Sequence, residues 1–157
     1  MEMFVFINKI LIMAFIQPCF IRKNTPELRK KLEELGYKPS YPIFQYPEVF
    51  KHIAACNFFG SKYYGVSDDE VSHHGAIKDA IKNRGMIDCG TNEELFLALA
   101  ALRDDSDKWQ LFVFDGIDVP DYFLQKGDMW ICSLDKHLVE NCHKATVEEI
   151  IEHFKKE

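Results

Sequence analysis

Cys132, His137 and Cys142 follow one another with four residues in each gap, the spacing of the last three ligands of a zinc knuckle, and His143 comes directly after. A structural zinc ion needs four nitrogen or sulfur donors, and Met129 stands where the first thiolate of that motif would be. His143 could stand in as the fourth ligand, but next to Cys142 it would point to the opposite face of a strand. The set reads as buried cysteines and surface histidines, and neither a metal nor a cofactor is expected.

Other chemistry-bearing residues resolve in the same way. His73 and His74 are adjacent, so their rings diverge and a polar loop is expected. Asp104, Asp105 and Asp107 suggest calcium, but the glycine and the twelfth-position glutamate of an EF-hand loop are missing; they are expected to solvate a helix end. Cys89 lies just before a helix start, where a thiolate could be stabilised, yet Asp88 beside it opposes that effect. No phosphate-binding glycine loop, nucleophile elbow or His-Glu-x-x-His motif occurs. The chain leans away from enzymes, with a small hydrolase using Cys89 or an acidic site around Asp88 and Asp105 as the alternative.

An aromatic set remains. Phe58, Phe59, Tyr63 and Tyr64 flank Gly60-Ser61, and Trp109 opens a later strand. Alternate residues of a hairpin face opposite sides, so Phe59, Tyr63, Tyr64 and Trp109 form the candidate contact surface for a partner protein or a stacked nucleobase. Burial under a proline-rich loop is the competing reading.

The element expected to organise the chain is GMIDCGTNEELFLALAAL, residues 85–102. Thr91 three residues before Glu94 predicts a capping box, with the helix starting near Asn92. Leu95, Ala98, Leu99 and Leu102 make one stripe, while Phe96, Leu97, Ala100 and Ala101 fill the flanks, so this helix is packed on more than one side. Asn24-Thr25-Pro26-Glu27 starts an earlier helix, striped by Leu28, Leu32 and Leu35 and ended by Gly36. Thr146-Val147-Glu148-Glu149 starts a closing helix, striped by Val147, Ile150, Ile151 and Phe154. Residues 68–83 predict a short polar helix. Strands are expected at residues 19–22, 109–114 and 129–133, with a type II′ hairpin around Gly60-Ser61. Pro39, Pro42 and Pro47 predict an extended loop over residues 37–50.

The length of 157 residues, with 47% apolar and 28% charged residues, suits one domain. A net charge of −6 argues against a dedicated nucleic-acid binder, whose phosphate contacts need a basic face. Charge is uneven: residues 18–40 hold six bases against three acids, residues 86–128 three against ten. Five dispersed cysteines fit reduced cytoplasmic thiols better than a disulfide framework. Residues 4–7 and 10–16 are apolar but are divided by Asn8-Lys9, too short a stretch to span a bilayer. They read as a hairpin, or as a leader preceding a start at Met13.

Three segments, CFIRKNTPELRKKLEELGY, IDCGTNEELFLALAALRDDSDKWQLF and CHKATVEEIIEHFKK, resemble a group of small accessory proteins in Bacteroidetes genomes, phages and prophages. The resemblance departs at Lys108-Trp109-Gln110-Leu111, where it would place tryptophan after glutamine. It implies a short accessory reading frame beginning close to Cys19, with residues 1–17 as an extension. It implies no activity and no catalytic residue.

The expectation is a single α+β domain: a mostly antiparallel sheet of four to six strands with three main helices, one of them central and buried. The expected function is that of a non-enzymatic cytoplasmic binding protein of phage or mobile-element type. Its ligand would be a macromolecular partner or, alternatively, a small nucleotide signal held by the aromatic surface.

Overall fold

The computed structural model describes residues 15–40, 48–56, 61–72, 75–116 and 124–155. Thr25 Oγ1 accepts the Leu28 amide at 3.1 Å and starts α1 (Pro26–Leu35). The helix ends at Gly36, whose φ of +120° needs glycine; a Cβ there would stand 3.3 Å from the Phe15 ring. Before α1 runs β1 (Cys19–Ile21), and after it come β2 (Lys38–Pro39), β3 (His52–Cys56) and β4 (Lys62–Val66). The β3–β4 pair is a hairpin, as expected, but its register, from His52 opposite Val66 to Cys56 opposite Lys62, corrects the turn: a two-residue type II′ loop at Gly60-Ser61 would set Phe59 opposite Lys62, so the connection is longer than two residues. Its tip, with Phe59 and Gly60, lies outside the described residues, as do His73 and His74.

The polar stretch expected as one helix is two, α2 (Asp68–Ser72) and α3 (Ala76–Asn83). Then β5 (Ile87–Asp88) leads to α4 (Glu93–Ala100), the central helix. Its cap corrects the expectation: Asn92, not Thr91, accepts the Leu95 amide, at 3.1 Å. Asn and Thr both serve as caps, and the sequence alone did not choose between neighbours. The second half contributes β6 (Leu111–Phe114), β7 (Met129–Ile131), β8 (Cys142–Lys144) and α5 (Val147–Lys155). At α5 the expected reciprocal box is present. Glu149 accepts the Thr146 amide at 2.9 Å, and Thr146 Oγ1 accepts the Glu149 amide at 3.2 Å.

The class is α+β, with the described strands divided between a mixed sheet, ordered β2-β4-β3-β1-β5, and an antiparallel sheet, ordered β7-β6-β8. One core joins them. Cys19, Ile21, Ile53 and Tyr63 of the first sheet and Leu111 and Val113 of the second belong to the same buried cluster as Leu28, Leu32, Phe96, Leu99 and Ile150. Period-2 alternation sends Phe20, Ala54 and Val66 to the other face of the first sheet, where Ile77 and Ala80 of α3 cover them. Phe15 also lies in the main core, stacked on Tyr37 at 4.1 Å between centroids. The Ile16 amide donates to the Leu102 carbonyl at 2.9 Å. Packing therefore begins before residue 17, inside the stretch read as an extension. None of the described helices is long and apolar enough to cross a membrane.

Candidate functional site

Gln110 sets the geometry at the end of the central helix. It is 1% exposed, and every polar side-chain atom is used. Nε2 donates to the Ala101 carbonyl and, at 3.1 Å, to that of Lys108. Oε1 accepts the Arg103 amide at 3.3 Å. A buried amide is stable only when satisfied in this way, and here it supplies a partner for a carbonyl that the helix end leaves open. Consequently β6 starts at Leu111 and not at Trp109. Trp109 is instead turned to a φ of +65°, a conformation that bulky L-residues rarely adopt. Its amide donates to the Cys132 carbonyl at 2.7 Å, and its indole is 43% exposed.

Trp109 borders a cleft of about 460 Å³ whose apolar walls are Leu35 of α1, Leu97, Ala98 and Ala101 at α4, Leu111, Ile131 and Phe154. The charged groups lining it are Lys31 and Glu34 on α1 and Glu94 on α4. Because Asn92 caps α4, Glu94 is released from the cap and borders the cleft. Ile131, 60% exposed, adds a second bare apolar side chain. The separate pieces of this surface are legible in the sequence as the flank of the central helix, but their meeting is not.

The structure distributes the expected aromatic residues. Tyr63 is fully buried and donates to Glu33 Oε2 at 3.1 Å; burial, then Glu33, raises its pKa above the usual phenol value. Tyr64 is half-buried against the α3 face of the first sheet, and burial and Cys56 raise its pKa as well. Phe59 lies outside the described residues. Trp109, ahead of a strand in the other sheet, is exposed. Arg22, which could have served a nucleotide, pairs with Asp88 at 2.9 Å and lies over the Phe20 ring.

The nucleophile and metal candidates are engaged elsewhere. Burial, then the charge of Asp88, pushes the Cys89 thiol up to about 12, so it stays protonated at neutral pH. Cys132 Sγ donates to the Leu134 carbonyl at 3.2 Å and Cys142 Sγ to that of Val139 at 3.0 Å. Among the described residues no group of three or more His, Cys, Asp or Glu side chains is arranged to hold a metal ion.

Of the three aspartates expected to solvate a helix end, Asp104 is exposed, as expected, while Asp105 and Asp107 form specific contacts. Asp105 pairs with Arg103, whose Nη2 lies 2.7 Å from Oδ2, and this contact holds the carboxyl below its usual range. Asp107 accepts the His137 amide at 2.8 Å and faces His137 Nδ1 at 2.7 Å, with Lys144 Nζ at 3.6 Å. Burial works against ionisation of Asp107, but these contacts outweigh it. His143 has two carboxylates. Its Nδ1 lies 2.8 Å from both oxygens of Asp115, and its Nε2 lies 2.8 and 3.1 Å from those of Glu149. The Asp107–His137 and Asp115–His143 pairs, 30 and 28 residues apart, gave no periodic signal from which they could have been read.

Compared with family models, curated proteins and solved structures, the chain matches none.

Proposed function

We propose that this chain is a non-enzymatic binding module whose recognition surface is the cleft beside Trp109. On the resemblance of its three segments we assign it to the accessory proteins of phages or mobile elements. The observation that carries the reading is the left-handed backbone of Trp109: a conformation costing roughly 1–2 kcal/mol is maintained to present an indole at the mouth of an apolar cleft. Strain of this kind concentrates at ligand clamps, and tryptophan is the residue type most enriched at binding hot spots.

The occupant that fits is an amphipathic helix from a partner protein, with bulky apolar residues on one face and Lys or Arg beside them. The cleft walls carry Glu34 and Glu94 against Lys31, with Lys108 over the Trp109 ring at 5.5 Å, and residues 86–128 carry the chain's acidic excess, so a basic flank is the complementary one. A nucleotide signal would bring phosphates to those same carboxylates, which disfavours it here.

The test is site-specific photocrosslinking from position 109, with native mass spectrometry of the purified chain. The expected result is one crosslinked protein carrying such a helix. Trp109→Ala should weaken that complex roughly thirtyfold, a hot-spot loss of about 2 kcal/mol, and Glu34→Lys with Glu94→Lys should weaken it further. A co-purifying nucleotide, or a partner unaffected by Trp109→Ala, overturns the reading.

A further inference from the structure

Phe154, one wall of the cleft, belongs to α5, so the cleft is only as well defined as the seating of that helix. Beyond the packing of Val147, Ile151 and Phe154 on the core, three attachments hold it. At its carboxyl end Asn92 Nδ2 donates to the Phe154 carbonyl at 3.3 Å. In the middle Ile150 is fully buried. At its amino end Glu149 closes the capping box with Thr146 and also faces His143 Nε2. The same Glu149 oxygen, Oε1, serves both the cap and the imidazole. His143 is on β8, opposite Val113 of β6, and its other nitrogen faces Asp115, just past the end of β6.

An imidazolium donates from both ring nitrogens, whereas a neutral imidazole has one N–H and one lone pair. Both carboxylates can therefore be held only while His143 is protonated. In the neutral ring one nitrogen turns its lone pair on a carboxylate oxygen, and one arm of the bridge is lost. We infer that His143 is a proton-operated latch that fastens the amino end of α5 to the second sheet and so regulates the cleft beside Trp109. The inference rests on the binding role proposed for that cleft.

The surroundings give the latch its direction. Charged and titratable groups near the ring are Asp115, Glu149, the adjacent Cys142 and, one residue further along β8, Lys144. The Lys144 ammonium is occupied by the Arg103 and Ser106 carbonyls, at 3.0 and 3.2 Å. Asp115, then Glu149, raises the pKa of His143 above its ordinary value of 6.5. Burial disfavours the charged form of Glu149, but the Thr146 amide and His143 outweigh it and its pKa is lowered. The sign follows from both shifts. The His143 contribution is complete below 6.5 and is lost as pH rises through the raised folded value. The Glu149 contribution is lost only in acid, as pH falls through its lowered value. The latch is closed in mild acid and opens on the alkaline side.

The experiment follows α5 amide protection factors by hydrogen exchange on the full chain between about pH 5.5 and 8.5. In parallel, acrylamide quenching of Trp109 is read in a Trp130→Phe background. Protection of α5 should fall about two- to fivefold across His143 deprotonation, the range for a partly exposed pair, and Trp109 quenching should change over the same interval. His143→Gln should abolish both responses. Asp115→Asn, which leaves α5 untouched, should move their midpoint to lower pH. An equal response in His143→Gln, no response in the wild type, or an α5 response without a change at Trp109 each overturns the inference. Failure of the binding role is a separate result, a partner indifferent to Trp109→Ala, and it would leave the α5 exchange data standing.

Discussion

Replacing Trp109 by alanine and, separately, by glycine isolates the backbone conformation from everything the indole does. Both truncations remove the same ring and expose the same walls, so their difference reports the Cβ alone. At an ordinary position glycine is the poorer choice by about 0.4–1 kcal/mol, because it gives the unfolded chain more freedom to lose. At a φ of +65° alanine instead bears a steric cost of roughly 1–2 kcal/mol that glycine avoids. The balance favours glycine by about 0.5–1 kcal/mol. Urea unfolding measures it: with m near 1–3 kcal/mol/M, the glycine variant should have a midpoint higher by about 0.5 M at unchanged m. An alanine variant as stable as the glycine variant, or more so, would show that Trp109 is not held in the left-handed region in solution. The argument that strain marks the cleft as a clamp would then fall.

Three further outcomes are expected. Asn92→Ala should cost about 1 kcal/mol and loosen the far end of α5, whereas Thr91→Ala should stay within about 0.5 kcal/mol of the wild type; thermal unfolding distinguishes them. Asp107 has a lowered folded pKa, so its contribution is present above the unfolded carboxylate value and lost as pH falls through the folded one. Asp107→Asn should flatten the acid limb of the stability profile, and an unchanged limb would place the contact outside the folding equilibrium. Finally, Cys89, pushed up to about 12, should resist alkylation at pH near 8 until the chain unfolds. Rapid labelling in the native state would reinstate it as a nucleophile.

What was legible in the sequence is what short-range periodicity and capping encode. The α1 cap and stop, the α5 box and the apolar character of α4 depend on residues three or four apart, and all are present. Class followed from them. Choices between equivalent neighbours were not encoded at that range, so the α4 cap fell on Asn92 instead of Thr91. Long-range pairs were invisible for a different reason: Asp107 and His143, weighed in the sequence only as calcium and zinc candidates, find His137 and Asp115 at separations of 30 and 28 residues. The cleft is of this second kind. Leu97 on the flank and Ala98 on the stripe of α4 both read as packed, whereas in the structure both line the cleft beside Trp109.

The buried amide of Gln110 also bears on how the second sheet finds its alignment. Leu111, Phe112, Val113 and Phe114 are all buried, so the strand lacks the in-and-out alternation that makes a one-residue slip costly in most half-buried strands. Sliding β6 by one residue would exchange one apolar side chain for another on either face. It would also drag Gln110 away from Ala101 and Arg103 and strand its amide in the core. One polar side chain thus supplies the alignment information that four apolar ones cannot, and folding of β7 and β8 onto β6 is keyed to the same residue that ties β6 to Ala101 at the wall of the cleft.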